Sequence, residues 1–470
     1  MILVPAAAAK NIKIVTADNM IEVRDFKDFL LLIPQEEQQG FELVRSGRLI
    51  TAGGKILYAG EDTPESEALL KAFQRRAEEE KKEISLIREK GRGRYILPPF
   101  GDTHAHLAMT LFRGSPANYN LDQWLRKWIF PKEEKLSYEI VRAGADLAML
   151  ELMRCGCGAA ADMYYFPEAT AEAADQAGLR LNLSIDAKTK DEEGNFHQDA
   201  DALFAFAEKY RSHPMIRPSF HIHSLYLYQD ALYPELGRLA EAADLPVQIH
   251  LAETGQECEE LEKKYNKSPA EVLDMFGLLR DGSLLAHCVR LDARDIRLLK
   301  GRKVYIAHNP ASNSKLASGI CDTEKLFDEG LHVTLGTDGA GSNDSLDMLR
   351  DLRLAAFLPK ILHKRADAGA PERWLYAATA AAYEALGFKE AGRLKKGEAA
   401  DFMIYNPDTP GSAPAGEDSD PFSLLVYAGN NASVERLTVN GRCIYKDGDY
   451  LQADEEKIIE RAKAARKKLQ

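Results

Sequence analysis

From about residue 95 onward, short apolar runs rich in β-branched residues alternate with longer amphipathic stretches rich in Ala, Leu and Glu. This repeat restricts the fold more than any other feature of the chain, because successive strand–helix units build a parallel sheet with helical crossovers. The candidate strands are YILPPFGDTHAH (95–106), CGAAADMYY (157–165), LRLNLSID (179–186), MIRPSFHIH (215–223), LPVQIHLAE (245–253), SLLAHC (283–288), KVYIAHN (303–309) and HVTLGTDG (332–339). Eight parallel strands are what a closed (β/α)8 barrel needs, so the expected class is α/β, a TIM-like barrel over 98–393.

Ionisable residues stand at or just past the C-terminal ends of these runs: His104, His106, His223, His250, His287, His308 and Asp338. In a barrel those ends open on one mouth, so residues far apart in the chain meet there. Histidines serving only as core residues would be scattered over strands and helices alike.

The flanking segments read differently. NIKIVTA, ELVRSGRLITAGGKILYAG, ADFMIYN and RLTVNGRCIY are short strand-like pieces with Gly turns. They predict a small β-sandwich domain formed by both termini, residues 1–97 and 394–470, with a C-terminal helix over the basic stretch 453–470. The charged run at about 65–92 reads as a solvated surface insertion. With 73 acidic against 61 basic side chains the formal charge is -12, which argues against nucleic acid or anionic lipid as partner and for a small molecule. Six cysteines in 470 residues, without a metal-knuckle spacing, predict reduced thiols. Neither a basic leader nor a run of membrane-spanning length stands out, so a cytoplasmic protein without a membrane partner is expected.

A His-x-His pair on a strand turns both imidazoles to one face. The spacing alone carries little, since His221 and His223 repeat it. Context decides. In PPFGDTHAHLAM an apolar strand reaches a Gly-Asp turn and delivers His104 and His106 at its end, while His250 ends QIHL and Asp338 ends TLGTD. Three imidazoles and one carboxylate suit one divalent ion per chain, zinc first, with Fe2+ or Mn2+ also compatible. Such an ion brings the pKa of water toward neutrality. Glu253, three residues past His250, is the candidate proton carrier. His287 is placed to hydrogen-bond the attacking water or a developing oxyanion, and Asp338 to accept the water's proton as well as to ligate.

Taken together, GDTHAHLAMTLFRG (101–114), LDQWLRKWIFPKEEKL (121–136), DMYYFPEA (162–169), HIHSLY (221–226), QIHLAET (248–254), LLAHCVRL (284–291), IAHNPASNSKLASGI (306–320) and VTLGTDGAGSNDSLDM (333–348) resemble the amidohydrolase superfamily. Within it, the chlorohydrolase and deaminase branch and the 5′-methylthioadenosine/S-adenosylhomocysteine deaminases are the most similar. The resemblance implies metal ligation by His104, His106, His250 and Asp338, proton shuttling by Glu253, water orientation by His287, and substrate contacts from Glu133, His223 and Glu253. It also implies a homodimer or homotetramer. Glu133 otherwise sits in a PKEEK run that reads as a solvated face.

The expected reaction is release of ammonia from an amino-substituted purine-type heterocycle or nucleoside. Ile185 and DEEGNF (191–196) offer no arginine where some members carry basic contacts. A carboxylate tail such as homocysteine calls for one, so methylthioadenosine or 5′-deoxyadenosine fits better. The alternatives are the same machinery on another C–N or C–Cl bond, as in guanine, cytosine or pterin deaminases and chlorohydrolases, and a non-catalytic scaffold, which predicts missing ligands. A binuclear centre bridged by a modified lysine is disfavoured, because the fourth strand ends in His221 and His223.

Overall fold

The computed structural model describes residues 20–116, 118–186, 188–190, 196–227 and 230–470. The NIKIVTA segment and positions 191–195 lie outside the described residues. The chain divides into two compact units, residues 1–99 with 389–451 and residues 100–388 with 452–470.

In the larger unit the strands Phe100–Asp102, Cys157–Asp162, Arg180–Ile185, Ile216–His221, Val247–Leu251, Leu284–His287, Tyr305–His308 and His332–Leu335 form an eight-stranded sheet in chain order. Every pairing is parallel. All eight sequence-predicted runs contribute one strand. The eighth strand returns to the first: Thr103 N–H donates to Leu335 O at 3.0 Å and Asp338 N–H to His104 O at 2.9 Å. Asp338–Gly339 then pairs in parallel with Ala105–His106. Barrel closure and delivery of the site residues are therefore one set of hydrogen bonds.

The helices cover the barrel through small apolar faces. Tyr138–Arg154 starts at Ser137, whose hydroxyl accepts from Ile140 N–H, and buries Ile140, Val141, Ala145, Met149 and Leu152. Gly144 lets it sit tightly, since a Cβ there would lie 2.9 Å from Ala108 Cα. The C-terminal helix Glu455–Lys468, grouped with the small domain in the sequence reading, belongs instead to the barrel unit. Ala462, Ala465 and Leu469 pack into the cluster of Met109, Phe112, Trp124 and Ile129. Its basic, polar sequence hides that short apolar stripe.

The smaller unit is a nine-stranded sheet joining strands from both ends of the chain. Its long strand Met20–Gln35 pairs antiparallel with Gly40–Ala52 and in parallel with Glu83–Lys90 and Tyr95–Leu97. The 65–92 run is not a solvated insertion. It folds as the helix Pro64–Glu79 and the strand Glu83–Lys90, with Leu70, Phe73 and Ala77 buried against Ile21, Val23, Ile50 and Leu57. Three apolar positions at helical spacing suffice to seat an otherwise charged helix.

Arg48 ties that helix to the sheet. Its side chain and that of Asp25 are both fully buried. The guanidinium donates to Asp25 Oδ1 and Oδ2 at 2.7 and 2.9 Å, to Ser66 Oγ at 2.9 Å and to Glu67 Oε2 at 2.8 Å. Among the described residues no helix is long and apolar enough to cross a membrane, and all six cysteines are free thiols.

Removing Arg48 leaves the buried Asp25 charge to the more exposed Arg88, 3.4 Å away, so Arg48→Ala is expected to lower the unfolding free energy by about 3 kcal/mol. An Arg48→Met/Asp25→Leu double variant should recover most of it. Denaturant melts of the three proteins check this, and equal loss in the single and double variants would overturn it.

Candidate metal centre and active site

His104 and His106 leave the first strand on a backbone held from below. Asp102 accepts Thr337 N–H at 3.0 Å and Thr337 Oγ–H at 2.5 Å, locking the first strand end to the eighth. Gly336 permits the approach, since a Cβ there would stand 2.9 Å from His104 O. His287 and Asp338 both take left-handed backbone, φ 71° and 61°. For non-glycine residues that conformation costs of order 1–3 kcal/mol and is retained where it aims a side chain.

The side chains converge. His106 Nε2 is 3.2 Å from His250 Nε2 and 3.3 Å from Asp338 Oδ1, and His104 Nε2 is 3.5 Å from the same oxygen. His104, His250, His287 and Asp338 each offer one ligand atom within 4.8 Å of the others. All are buried. His106 Nδ1 meets Met163 O at 2.5 Å and His250 Nδ1 meets His223 O at 2.6 Å. A carbonyl only accepts, so both Nδ1 atoms carry hydrogen, and in their neutral forms the two rings turn bare lone pairs toward each other; Asp338 outweighs burial at His106 and raises its proton affinity. Only a positive charge relieves that contact, and Asp338 is its counter-charge. Among the described residues His104 Nε2 has no hydrogen-bond partner. These donors fit a divalent metal ion with mixed imidazole and carboxylate ligation.

The electrostatics divide the two carboxylates. Burial alone would raise Asp338, but the facing His104 and His106 imidazoles hold it well below the ordinary range. Burial pushes Glu253 up, with His287 opposing. Glu253 Oε2 lies 3.7 Å from His287 Nε2. Burial drives His104 down to about 4 and His250 well below its usual value, leaving both as neutral donors.

The substrate-side residues fall beside this group. His223 is half-buried, its ring parallel to that of His106 at 6.5 Å. Glu133 ends the short helix Phe130–Glu133, reached through a wide π-turn at Leu125–Ile129. It is partly open to solvent yet crowded by protein, and burial raises its carboxyl to about 7 against the pull of Tyr164, His106 and Tyr165. The PKEEK run is thus no plain solvated face at Glu133. His221 turns to Ser184 Oγ at 2.8 Å. His308 is a core histidine packed 5.5 Å from Trp374, with its pKa driven down to about 3 by burial.

Sequence reasoning assigned no role to Ser312, Ser342, Asn313, Ser318 and Glu257. Ser312 and Ser342 donate to Asp338 Oδ2 at 2.5 and 2.8 Å. Asn313 Oδ1 accepts from His287 Nδ1 at 2.8 Å, and Ser318 Oγ donates to Glu253 Oε1 at 2.8 Å. Glu257 caps the turn that carries Glu253 by accepting Ala252 and Glu253 N–H. The available signal was the polar run NPASNSKLAS directly after the seventh strand. A cavity of about 320 Å³ adjoins Glu253 through Ser318, walled by Leu121, Leu125, Phe130, Tyr226 and Leu316.

A closed parallel barrel with a buried histidine–aspartate metal-binding group at its mouth defines a metal-dependent hydrolase class. The chain belongs to the amidohydrolase family, whose model matches residues 95–444, and is a hydrolytic enzyme acting on C–N bonds. It is 37% identical over 377 residues to a 5′-deoxyadenosine deaminase of Methanopyrus kandleri, covering 79% of this chain and 86% of the relative. It is 34% identical over 369 residues to a 5-methylthioadenosine/S-adenosylhomocysteine deaminase of Pyrococcus furiosus, covering 78% and 87%. A solved adenosine deaminase from Xanthomonas campestris with bound zinc superposes with a TM-score of 0.84 at 26% identity, covering 95% of this chain and 98% of that one.

The purified protein is expected to carry about one divalent ion per chain by elemental analysis, and chelation should lower its Tm. An ion held at 1,000 times its Kd stabilises by about 4 kcal/mol. His106→Ala should lose the ion and the chelator response together. A chelator effect unchanged in that variant would overturn the assignment.

Proposed function

We propose that the protein deaminates an adenine nucleoside bearing a small uncharged 5′ group, such as 5′-deoxyadenosine or 5′-methylthioadenosine, with one zinc ion per chain. The observation that carries this reading is the placement of Glu253. It is a buried carboxyl whose proton affinity burial raises, facing His287 beside three imidazoles and the ionised Asp338. The substrate class is supported by the reactions for which the two relatives are named, and zinc by the nitrogen-rich donor set and the zinc-bound neighbour. The free thiols support a cytoplasmic setting.

His104, His106, His250 and Asp338 would hold the ion, which supplies Lewis acidity and brings the pKa of water toward neutrality. Glu253 takes a proton from the attacking water and passes it to the ring nitrogen next to the amino-bearing carbon. Water's oxygen bonds to that carbon, the second proton reaches the amino group, and ammonia leaves as the ring carbonyl forms. A carboxyl raised by burial suits both halves of that transfer. His287, its Nδ1 fixed on Asn313, keeps Nε2 toward the reacting oxygen. Glu133 and His223 face the nucleoside.

The cavity beside Glu253 supports an uncharged 5′ group. Of the two arginines lining it, Arg126 is paired with Asp122 at 2.6 Å and Arg290 donates to Ser318 O at 3.1 Å. Neither guanidinium stands ready for a carboxylate tail.

Ammonia release is measured on adenosine, 5′-deoxyadenosine, methylthioadenosine, S-adenosylhomocysteine, guanine, cytosine and pterins. Activity should concentrate on the first three and fall in Glu253→Gln by about 10²–10⁴-fold with the metal retained. Silence across the panel with the ion in place would move the reaction to another bond. Glu133→Gln should cost about 1.5–3 kcal/mol of nucleoside binding, read as a KM increase of ~10-fold or more with a smaller change in kcat. An unchanged KM would remove Glu133 from the substrate contacts.

A further inference from the structure

Three groups at the mouth share one arrangement: one pole is pinned by a short neutral side chain and the opposite pole faces the site. Asp338 accepts the Ser312 and Ser342 hydroxyls on Oδ2 at 2.5 and 2.8 Å and turns Oδ1 to His104 and His106. Glu253 accepts the Ser318 hydroxyl on Oε1 at 2.8 Å and turns Oε2 to His287. His287 donates from Nδ1 to Asn313 Oδ1 at 2.8 Å, leaving Nε2 free to face Glu253. The three pinned groups come from the fifth, sixth and eighth strands or the turns after them. Three of the four pins come from one segment, residues 309–318, and Ser342 lies on the loop after the eighth strand.

That segment is itself anchored at both ends. Ala311 N–H donates to Asp351 Oδ1 at 3.1 Å, and Asp351 Oδ2 accepts from Asn343, whose amide also reaches Thr337 O. Lys315 Nζ holds Asp344 Oδ2 at 2.5 Å and Gly341 O at 3.2 Å. At the far end Arg290 holds Ser318 O. The anchors lie on the loop after the eighth strand, the helix Met348–His363 and the turn after the sixth, so the segment is referenced to the same walls as the groups it pins.

We propose that residues 309–318 form a positioning clasp in which Ser312, Asn313 and Ser318 set the orientation of Asp338, His287 and Glu253. This rests on the deaminase reading only for the choice of assay. Pinning Oδ2 presents Asp338 to a metal ion through one oxygen. Pinning Oε1 keeps Glu253 on the line between water and ring nitrogen. Fixing Nδ1–H selects the His287 tautomer whose Nε2 meets the reacting oxygen. Partners that orient metal ligands and catalytic groups in this way change affinity or activity by about 10–100-fold when removed.

Two variants test the clasp, with Ser314→Ala as control. Ser314 lies in the same short helix, Pro310–Lys315, and among the described residues its hydroxyl bonds only to Pro310 O. Ser318→Ala should lower kcat on 5′-deoxyadenosine by about 10–100-fold with metal content kept and KM within about twofold. Ser312→Ala should weaken zinc by about 10–100-fold in competition with a chromogenic chelator, whatever the activity. Ser314→Ala should change neither. If Ser312→Ala and Ser318→Ala behave as Ser314→Ala does, or if kcat and KM worsen in step with a falling Tm in all three, the segment is only structural and the clasp is wrong. A wild-type enzyme inert on every nucleoside would sink the functional reading, and zinc affinity in Ser312→Ala would then decide the clasp alone.

Discussion

Two imidazole lone pairs face each other across 3.2 Å in a buried pocket, and the barrel mouth is organised around that contact. His106 and His250 have each committed the Nδ1 hydrogen to a backbone carbonyl, so in its neutral form neither ring has a hydrogen to offer the other, and only a proton or a metal ion, favoured at His106 by Asp338, relieves the contact. An unmet buried polar atom costs about 1–3 kcal/mol, and the partnerless Nε2 of His104 adds to the pressure. The fold tolerates this because Asp338 stands within 3.5 Å of two of the rings, ready to balance a cation. The carbonyls that set the tautomers belong to Met163 and His223, just past the ends of the second and fourth strands. The metal-binding group therefore exists only when the parallel sheet has closed in register.

That dependence explains what the sequence revealed. Strand-end residues are legible because a strand's apolar run can be seen and its end located, and a closed barrel then brings the ends together. His104, His106, His250, Glu253, His287 and Asp338 were singled out this way, and the structure gathers them at one mouth. The 65–92 segment was misread for the opposite reason: its apolar stripe is three residues wide in a strongly charged run, and the buried Arg48 that seats it lies in a different strand. The C-terminal helix has the same disguise.

Glu133 and the 309–318 segment were opaque for a third reason. Their roles arise from tertiary placement and leave no periodicity. A glutamate in a PKEEK run carries no mark of facing His106 and two tyrosines, and serines in NPASNSKLAS look like ordinary turn residues. Short polar side chains are chosen as pins by geometry alone. They reach one oxygen or one ring nitrogen, lose little freedom on ordering, and bring no charge of their own into the site.

The absence of charge in the pins has a chemical consequence. Asp338 and Glu253 are both buried carboxylates, and each has one oxygen occupied by serine hydroxyls, two on Asp338 and one on Glu253. Their proton affinities nevertheless move in opposite directions. The serines are neutral in both cases, and the charged difference lies in what the other oxygen meets: two close imidazoles for Asp338, one imidazole at 3.7 Å for Glu253. Had the pins been arginines or lysines, both carboxyls would have been driven down together and the proton-carrying role lost. With neutral pins, burial and the histidines together decide which carboxylate is held ionised and which is raised, and the division of labour proposed between ligand and acid–base group follows from the geometry of the strand ends.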